Sequence, residues 1–442
     1  MSATITFPHG IHPSECKHTK DAATERLPWP PTVTVLLSQH IGAPAKPLVK
    51  KGQQVMRGEP VAEAGGFVSV PMHAPAAGKV KAVDRALNAR GEMAPAIIIE
   101  VDPEADQEAV HGSQRDMDTL SPDELVQAVQ SAGTVGLGGA AFPTHVKLKP
   151  PEGKRVDTVV VNGCECEPYL TTDYRVMIEQ SDLIVAGARL ALHATGAKEV
   201  VIAIENNKPE AIEAMMKAAP RDEPFVVRSL ATKYPQGAEK MLSRALLRRD
   251  VPSGGLPSDV GVACFNVATL AQMGQLVPRG QGLIERVVTV SGGGVTRPGN
   301  YLVPLGTPLR FLLEHAGMTE ATCAVINGGP MMGVSTPSLD IPLTKGTTGL
   351  LALTEAEMRD GAAQVYPCIR CARCVDACPM FLNPSMLGLL GRKGRYEEMA
   401  ESYHLNDCFE CGCCSYVCPS NIPLVHFFRL AKAMNRERSA AK

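Results

Sequence analysis

A doubled cysteine pattern near the C-terminus constrains this chain more than any other stretch. Pro367-Cys-Ile-Arg-Cys-Ala-Arg-Cys-Val-Asp-Ala-Cys-Pro379 and Asp407-Cys-Phe-Glu-Cys-Gly-Cys-Cys-Ser-Tyr-Val-Cys-Pro419 each read C-x2-C-x2-C-x3-C-P. Three thiolates at that spacing wrap one iron-sulfur cube in a tight loop, and the fourth, carried off by the next turn, ligates the cube of the other copy. The spacing therefore groups Cys368, Cys371 and Cys374 with Cys418, and Cys408, Cys411 and Cys414 with Cys378. Structural zinc sites also use C-x2-C pairs. Against zinc stand the x2-x2 run, the fourth Cys after x3, the trailing Pro and the second copy of the whole, which together argue for two 4Fe-4S clusters. Cys413 falls off the repeat and reads as a bystander thiol. Two cubes in one module make a wire for single electrons, so the rest of the chain must supply what feeds it.

The chain has 442 residues, too many for one core, and usual domain sizes predict two to four domains. A net charge of −2, with no long block of like charge, gives no argument for a nucleic-acid partner or a polybasic membrane anchor. Met1-Ser-Ala-Thr-Ile-Thr-Phe-Pro-His-Gly10 lacks the basic start and apolar core of a secretory leader, and no run of about 18 apolar residues occurs. The chain reads as soluble by itself. Fourteen Cys, eight of them in the two motifs, point to a reducing cytoplasm and not to a disulfide framework.

The first hundred residues are rich in Pro and Gly between short apolar runs such as Val33-Thr-Val-Leu-Leu37, Pro60-Val-Ala62 and Ala96-Ile-Ile-Ile-Glu-Val101, which is β composition. Val49–Ala62 and Val70–Val80 resemble the two halves of a biotinyl/lipoyl-type barrel-sandwich domain. Carrier domains of that type present a modifiable Lys between the halves, whereas Glu63-Ala-Gly-Gly-Phe-Val-Ser69 has none. The expectation is a structural or docking domain without covalent biotin or lipoyl. His9, His12, His18, His40 and Cys16 lack ligand spacing and read as polar or packing residues.

Ser121-Pro-Asp-Glu124 opens a helix with a capping box, and Leu125, Val126 and Val129 mark its apolar face. It runs into Gly133-Thr-Val-Gly-Leu-Gly-Gly-Ala-Ala-Phe-Pro-Thr-His-Val-Lys147, a glycine-rich loop ending in an ammonium. Such backbone can approach a phosphate closely, although the loop is neither G-x-G-x-x-G nor a Walker sequence. Val156–Asn162 and Glu199–Ile204 read as interior parallel strands, and Ser181–Ala194 and Pro209–Ala219 as their covering helices. Functional residues of such α/β sheets gather beyond the carboxyl ends of strands. Asn162-Gly-Cys-Glu-Cys-Glu-Pro168 sits at one, where its acidic residues could act as bases, ligands or helix caps. Cys164 and Cys166 alone are too few for a metal site. Ala238–Arg249 reads as a basic, exposed covering helix. Arg286–Gly292, a hairpin over Val295–Val303, a helix near Leu309–His315 and Ala324–Asn327 predict a small β-grasp module closed by Gly328-Gly-Pro-Met-Met-Gly333, with both Met as fill. Helical patterning at Ser385–Leu390, Arg395–His404 and Asn421–Lys432 makes the cysteine module an α-helical ferredoxin.

The glycine loop Gly136–Lys147, the strand end Asn162–Pro168 and Asn266-Val-Ala-Thr269 together resemble, in the same order, the flavin-binding segments of the NADH-oxidising subunit of respiratory complex I. The resemblance implies that Gly136, Gly138, Gly139 and Lys147 hold the FMN phosphate. It also implies that Asn162, Glu165 and Asp173 face flavin and NADH, with Glu165 as the catalytic group, and that Asn266 and Thr269 complete the pocket. Tyr234, Gly237 and Glu239 match a further segment less well. Leu137, Cys164 and Ala238 depart from that family's Arg, Asp and acidic residue. The whole order, including Gly10-Ile-His-Pro13 and Gln39-His-Ile-Gly-Ala-Pro44, is similar to the C subunits of the Rnf electron-transport complex. That implies a peripheral protein on the cytoplasmic face of a bacterial inner membrane, passing electrons between NADH and ferredoxin with other Rnf-type subunits, which couple the flow to ion movement. A flavin and iron-sulfur corrinoid reductase shares these parts, and a non-catalytic scaffold is a further alternative. The expected architecture is α/β multidomain. It comprises a barrel-sandwich-like β domain (1–120), an FMN/NADH-binding α/β domain (121–285), a β-grasp (SLBB-type) module (286–352) and an α-helical two-cluster ferredoxin domain (353–442).

Overall fold

A computed structural model describes residues 5–358 and 364–440; Met1–Thr4, part of the stretch read for a leader, lie outside them. At its centre is a four-stranded parallel sheet in the order Phe225–Leu230, Glu199–Glu205, Thr158–Gly163, Val262–Asn266. The two middle strands are almost wholly buried, as continuous apolar runs must be when helices cover both faces. The chain builds outward through its first three strands, then crosses back to lay the fourth beside the first. At such a reversal, ligands of open α/β sheets bind beyond the carboxyl ends of the strands, here Thr158–Gly163 and Val262–Asn266. Helices Ser181–Thr195 and Val267–Arg279 cover one face in close approach: a Cβ at Gly187 would fall 1.9 Å from the Leu270 carbonyl oxygen, and one at Gly274 2.2 Å from that of Leu183. Only glycine permits that spacing. The predicted helix at Ser121 forms over Pro122–Ser131 with both halves of its capping box, and buries Leu125, Val126 and Val129.

The N-terminal domain consists of two small antiparallel sheets. One runs Thr32–Leu36, Met93–Val101, Gly78–Leu87, Gln54–Val55, and the other Lys46–Pro47, Pro60–Glu63, Met72–His73. Alternate residues such as Val33 and Val35 meet Val61, Met72, Val80, Ile97 and Ile99 in one core. The connection between the two halves, though exposed at Gly66 and Phe67, is fastened to the central domain. The Phe67 carbonyl accepts from His145 Nε2 at 2.7 Å and the Ser69 carbonyl from Gln130 Nε2 at 3.1 Å, while Ile41 N donates to the Ala141 carbonyl at 3.3 Å. The domain therefore leans on the glycine loop.

Glu285–Ser291 pairs antiparallel with Gly299–Pro304 and parallel with Gly349–Thr354, which pairs antiparallel with Thr322–Asn327, and helix Leu309–His315 completes the β-grasp. The closing strand is Gly349–Thr354, not the Gly328–Gly333 stretch read from sequence: a long aperiodic connection hides it. Val334–Ser335 pairs beside Thr322–Asn327 at one edge, and Thr24–Arg26 from the opening segment adds a sixth strand at the other. Helices Pro384–Arg392, Tyr396–Glu401 and Leu424–Ala440 enclose the cysteine motifs around Leu387, Leu390, Met399 and Phe428. Among the described residues no helix is long and apolar enough to cross a membrane.

Candidate functional site

Asn162 and Asn266 are register partners at the carboxyl ends of the two strands that meet at the reversal. Asn162 accepts from Cys164 N at 3.1 Å and donates to the Gly237 carbonyl at 2.8 Å, joining the strand end to the Tyr234–Gly237 turn. Asn266 caps Val267–Arg279 by accepting from Ala268 N and Thr269 N, and its Nδ2 donates to Asp173 Oδ2 at 2.6 Å. Thr269 Oγ1 accepts from Leu137 N at 2.9 Å, so the glycine loop is tied to the first turn of that helix. Gly138 lies so near that a Cβ would stand 3.3 Å from Asn266 Nδ2, and Gly139, at φ +109°, faces open space. Among the described residues the Gly138 and Gly139 amides donate to no protein acceptor, and the buried Thr144 hydroxyl also lacks a partner. Free amides beside a capped helix start fit a phosphate group. Lys147 reaches the same strand, pairing with Glu239 and donating to the Cys264 carbonyl at 3.1 Å. Burial alone would depress its pKa, but the Glu239 carboxylate outweighs it, so the ammonium stays charged. The Ala238–Arg249 cover, formed over Glu239–Leu247, thus contributes through Glu239 and buries Met241 and Leu242.

Glu165 is 7% exposed and caps helix Thr172–Glu179, accepting from Asp173 N at 2.8 Å and Tyr174 N at 3.3 Å. Burial, then the charge of Glu165, push the Asp173 carboxyl up to about 7, against the pull of Asn266 and Arg286. Two participants escaped the sequence reading. Lys17, in the opening segment, donates to the carbonyls of Glu165 and Glu167 at 2.8 Å and of Leu170 at 2.5 Å, so the 162–171 turn wraps an ammonium. Arg286 donates to the Leu137 carbonyl at 2.9 Å and to that of Lys345, bracing the glycine loop from behind. No local pattern marks either residue; only the tertiary fold brings them in. Beyond the strand ends, a crevice lined by His12, Lys17, Glu165, Glu205, Asn207 and Lys233 opens beside Glu165.

The cysteine motifs fold as a repeat. Arg370, Ala372 and Phe381 adopt positive φ, as do Glu410, Gly412 and Asn421 forty positions later. In both copies the amide two residues on donates to the first thiol, Arg370 N to Cys368 Sγ and Glu410 N to Cys408 Sγ, each at 3.4 Å. Side-chain-bearing residues at positive φ persist where surroundings over-determine them, as in ligand clamps. Cys378, Cys408, Cys411 and Cys414 line one cavity, walled by apolar groups including Leu387 and Phe428. Cys374 stands in the electrostatic neighbourhood of Cys418, Cys371 and Cys368. Cys378 thus lies with the three leading thiols of the second motif, and four thiols about an apolar hollow fit a cube. Cys413 also borders the cavity, but its counterpart in the first copy is Arg373. His9, His18 and His40 are dispersed onto Asp376, Tyr169 and Ile41. Among the described residues no three His, Cys, Asp or Glu converge as for a single metal ion; the motif thiols ring a hollow.

The second-motif ring is seated on the central domain. Tyr234 Oη donates to the Cys411 carbonyl at 2.7 Å, Asp407 accepts from Ser253 Oγ at 2.5 Å and Gly254 N at 3.0 Å, and Gly10 N donates to the Ala377 carbonyl at 3.2 Å. Glu167, three residues past Cys164, accepts from Met331 N and Met332 N, and burial raises its pKa to about 7.

Each region has a counterpart among known domains. Residues 5–104 match the RnfC barrel sandwich hybrid domain, 129–275 the Nuo51 FMN-binding domain, 287–335 the SLBB domain and 364–422 the 4Fe-4S dicluster domain. Over 444 residues the chain is 45% identical to the C subunit of the proton-translocating ferredoxin:NAD(+) oxidoreductase complex of Clostridium ljungdahlii, covering 99% of this chain and 96% of that relative. This chain belongs to the RnfC family. Other members include the C subunit of the Na(+)-translocating ferredoxin:NAD(+) oxidoreductase complex of Acetobacterium woodii, 42% identical over 89% of each chain. The C subunit of the ion-translocating oxidoreductase complex of Rhodobacter capsulatus is 42% identical over 98% of this chain and 84% of its own. An NAD+-reducing [NiFe]-hydrogenase in the H2-reduced state shares the fold at a TM-score of 0.50 and 20% identity, over 74% of this chain and 68% of its own. The domain matches assign FMN and 4Fe-4S clusters to this RnfC protein, as its sequence led us to expect.

Proposed function

We propose that this RnfC protein is the NADH-oxidising, peripheral member of an ion-translocating NADH:ferredoxin electron-transport complex, working at the cytoplasmic face of a bacterial inner membrane with other Rnf-type subunits. The observation that carries this reading is the strand reversal, where Asp173 links Glu165 to Asn266, Asn266 caps the helix whose Thr269 holds the glycine loop beside Gly138 and Gly139, and Asn162 is the register partner of Asn266. FMN bound there supplies the conversion of a two-electron hydride into single electrons suited to iron-sulfur cubes. The Gly136 amide is taken by the Phe142 carbonyl, so the free Gly138 and Gly139 amides and Lys147 would hold the phosphate, with Glu239 keeping the ammonium charged and in place. Asn162 and Asn266 frame the ring system from adjacent strands, and Thr269 fixes the loop. Glu165 sets the floor of the crevice through which the nicotinamide enters, and the Asp173 carboxyl, with a pKa about 7, keeps an exchangeable proton beside Asn266. Cys368, Cys371, Cys374 and Cys418 hold one cube and Cys408, Cys411, Cys414 and Cys378 the other. Purified chain loaded with FMN and clusters should reduce ferricyanide with NADH and need no other protein. Flavin-loaded protein that leaves NADH untouched while its clusters accept electrons from a chemical reductant would overturn the assignment.

A further inference from the structure

The two cysteine rings differ in their surroundings. The second-motif ring is clasped by the central domain through Tyr234, Ser253, Gly254 and the opening segment at Gly10. Around the first-motif ring the contacts of residues 364–370 stay within the ferredoxin domain: Tyr366 N donates to the Ser420 carbonyl, Ser420 Oγ to the Pro367 carbonyl and Asn421 Nδ2 to the Gln364 carbonyl. Ten consecutive residues, 364–373, are exposed, and they include Cys368 and Cys371. Three large apolar side chains stand out among them, Val365 at 54%, Tyr366 at 51% and Ile369 at 67% exposed. Beside them are the guanidiniums of Arg370 and Arg373, neither paired with a carboxylate among the described residues, and between 364 and 379 the one carboxylate is Asp376. A cluster cradle with an apolar centre and a basic rim has the anatomy of a docking face.

We propose that the second-motif cluster receives electrons from the flavin side, that the first-motif cluster is the exit, and that the 365–373 face docks an acidic one-electron carrier. This rests on the cluster assignment above. In the exchange one electron leaves or enters the first-motif cube while the docked carrier's own redox centre is oxidised or reduced by one. Val365, Tyr366 and Ile369 exclude water at the contact, and Arg370 and Arg373 steer an acidic surface onto it.

The full chain, loaded with FMN and clusters, is titrated with an acidic plant-type 2Fe-2S ferredoxin as probe, and the dissociation constant is read by calorimetry at low and high salt. Native protein should bind, and bind less tightly as salt rises. The double variant Arg370→Glu, Arg373→Glu should lose roughly tenfold or more in affinity at low salt, and Ile369→Ser should weaken binding at both salts. NADH reduction of the flavin, read by absorbance, should be the same in both variants. If NADH reduces nothing even in native protein, the functional proposal fails while the binding data still judge this face. No saturable binding to native chain, or binding indifferent to the charge reversal, overturns the docking face. So does self-association that Ile369→Ser abolishes, or capture by anionic vesicles with no affinity for the probe. For the order of clusters, Cys411→Ser should stop NADH from reaching the first-motif cube, and Cys371→Ser should leave the second-motif cube reducible, both read by electron paramagnetic resonance. The opposite pattern overturns the order.

Discussion

Asp173 is held where its charge is unwelcome, and that makes it the most testable residue at the crevice. Its folded pKa, about 7, lies above the ordinary carboxylate value, so between about pH 4 and 7 the folded chain binds the proton that the unfolded chain has released. Stability from this group is therefore present at low pH and lost as pH rises through 7. Asp173→Asn keeps an acceptor for Asn266 Nδ2 and removes the titration. The variant's melting temperature should match the native one near pH 4, exceed it by a margin that grows between about pH 4 and 7, and hold that margin above pH 7; a margin independent of pH would show that Asp173 ionises normally. Lys147→Ala should weaken FMN binding by about tenfold to a hundredfold, the worth of a charge-assisted hydrogen bond, as read by flavin fluorescence. Glu239 is partly exposed and should tolerate the loss of its partner. The sequence made Asn162, Glu165 and Lys147 visible because each adjoins a strand end or a glycine run. Lys17 and Arg286 stayed hidden, since an ammonium that threads a carbonyl nest 148 positions away has no local signature.

At the scale of elements, the signals that survived into the structure are those with a local physical cause. The capping box placed a helix start to the residue, and buried parallel strands declared themselves as unbroken apolar runs. Phe225–Leu230 did not, because an edge strand only half covered lacks such a run. No punctuation in the sequence separates the Val267–Arg279 helix from the strand before it, because Asn266 ends one and caps the other with no turn between. The sixth strand of the β-grasp sheet, Thr24–Arg26, comes from 276 positions upstream of its one neighbour, Gly299–Pro304, and could not be read at all. It is pinned by Glu285, which accepts from Arg26 at 2.9 Å and, at 2.5 Å, from Arg57 of the barrel sandwich, itself only 3% exposed. Removing one partner of a buried pair leaves the other charge uncompensated. Glu285→Ala should thus cost about 3 kcal/mol in denaturant titration, and a loss under about 0.5 kcal/mol, the size of an exposed pair, would show that water reaches Arg57. The crossing of the motifs is testable at this scale too. Cys378→Ser should disturb the cube of Cys408, Cys411 and Cys414, and spectra showing damage confined to the cube of its own motif would overturn the crossing.

Across the whole molecule, the barrel sandwich is fastened to the central domain, and the second cysteine ring is seated on the same domain. The connecting turn of the barrel sandwich carries no Lys and is fastened to His145 and Gln130. On the proposed reading, hydride site and both cubes lie in one polypeptide, so electrons from NADH should reach an artificial acceptor without help. Reaching a physiological low-potential acceptor is a different problem. Plant-type ferredoxins lie near about −400 mV, and a donor at higher potential cannot fill them extensively unless another energy source lifts the electrons. The relatives' names place them in proton- or Na+-translocating complexes, and no described helix of this chain is long and apolar enough to cross a bilayer. We therefore expect purified, fully loaded chain to reduce ferricyanide rapidly with NADH yet leave ferredoxin essentially oxidised. Ferredoxin reduction should appear when the chain is returned to membranes carrying its partners, and vanish when an ionophore collapses the ion gradient. Extensive NADH-driven reduction of ferredoxin by the isolated chain would mean that the energy step lies within this polypeptide, and the proposed division of labour would be wrong.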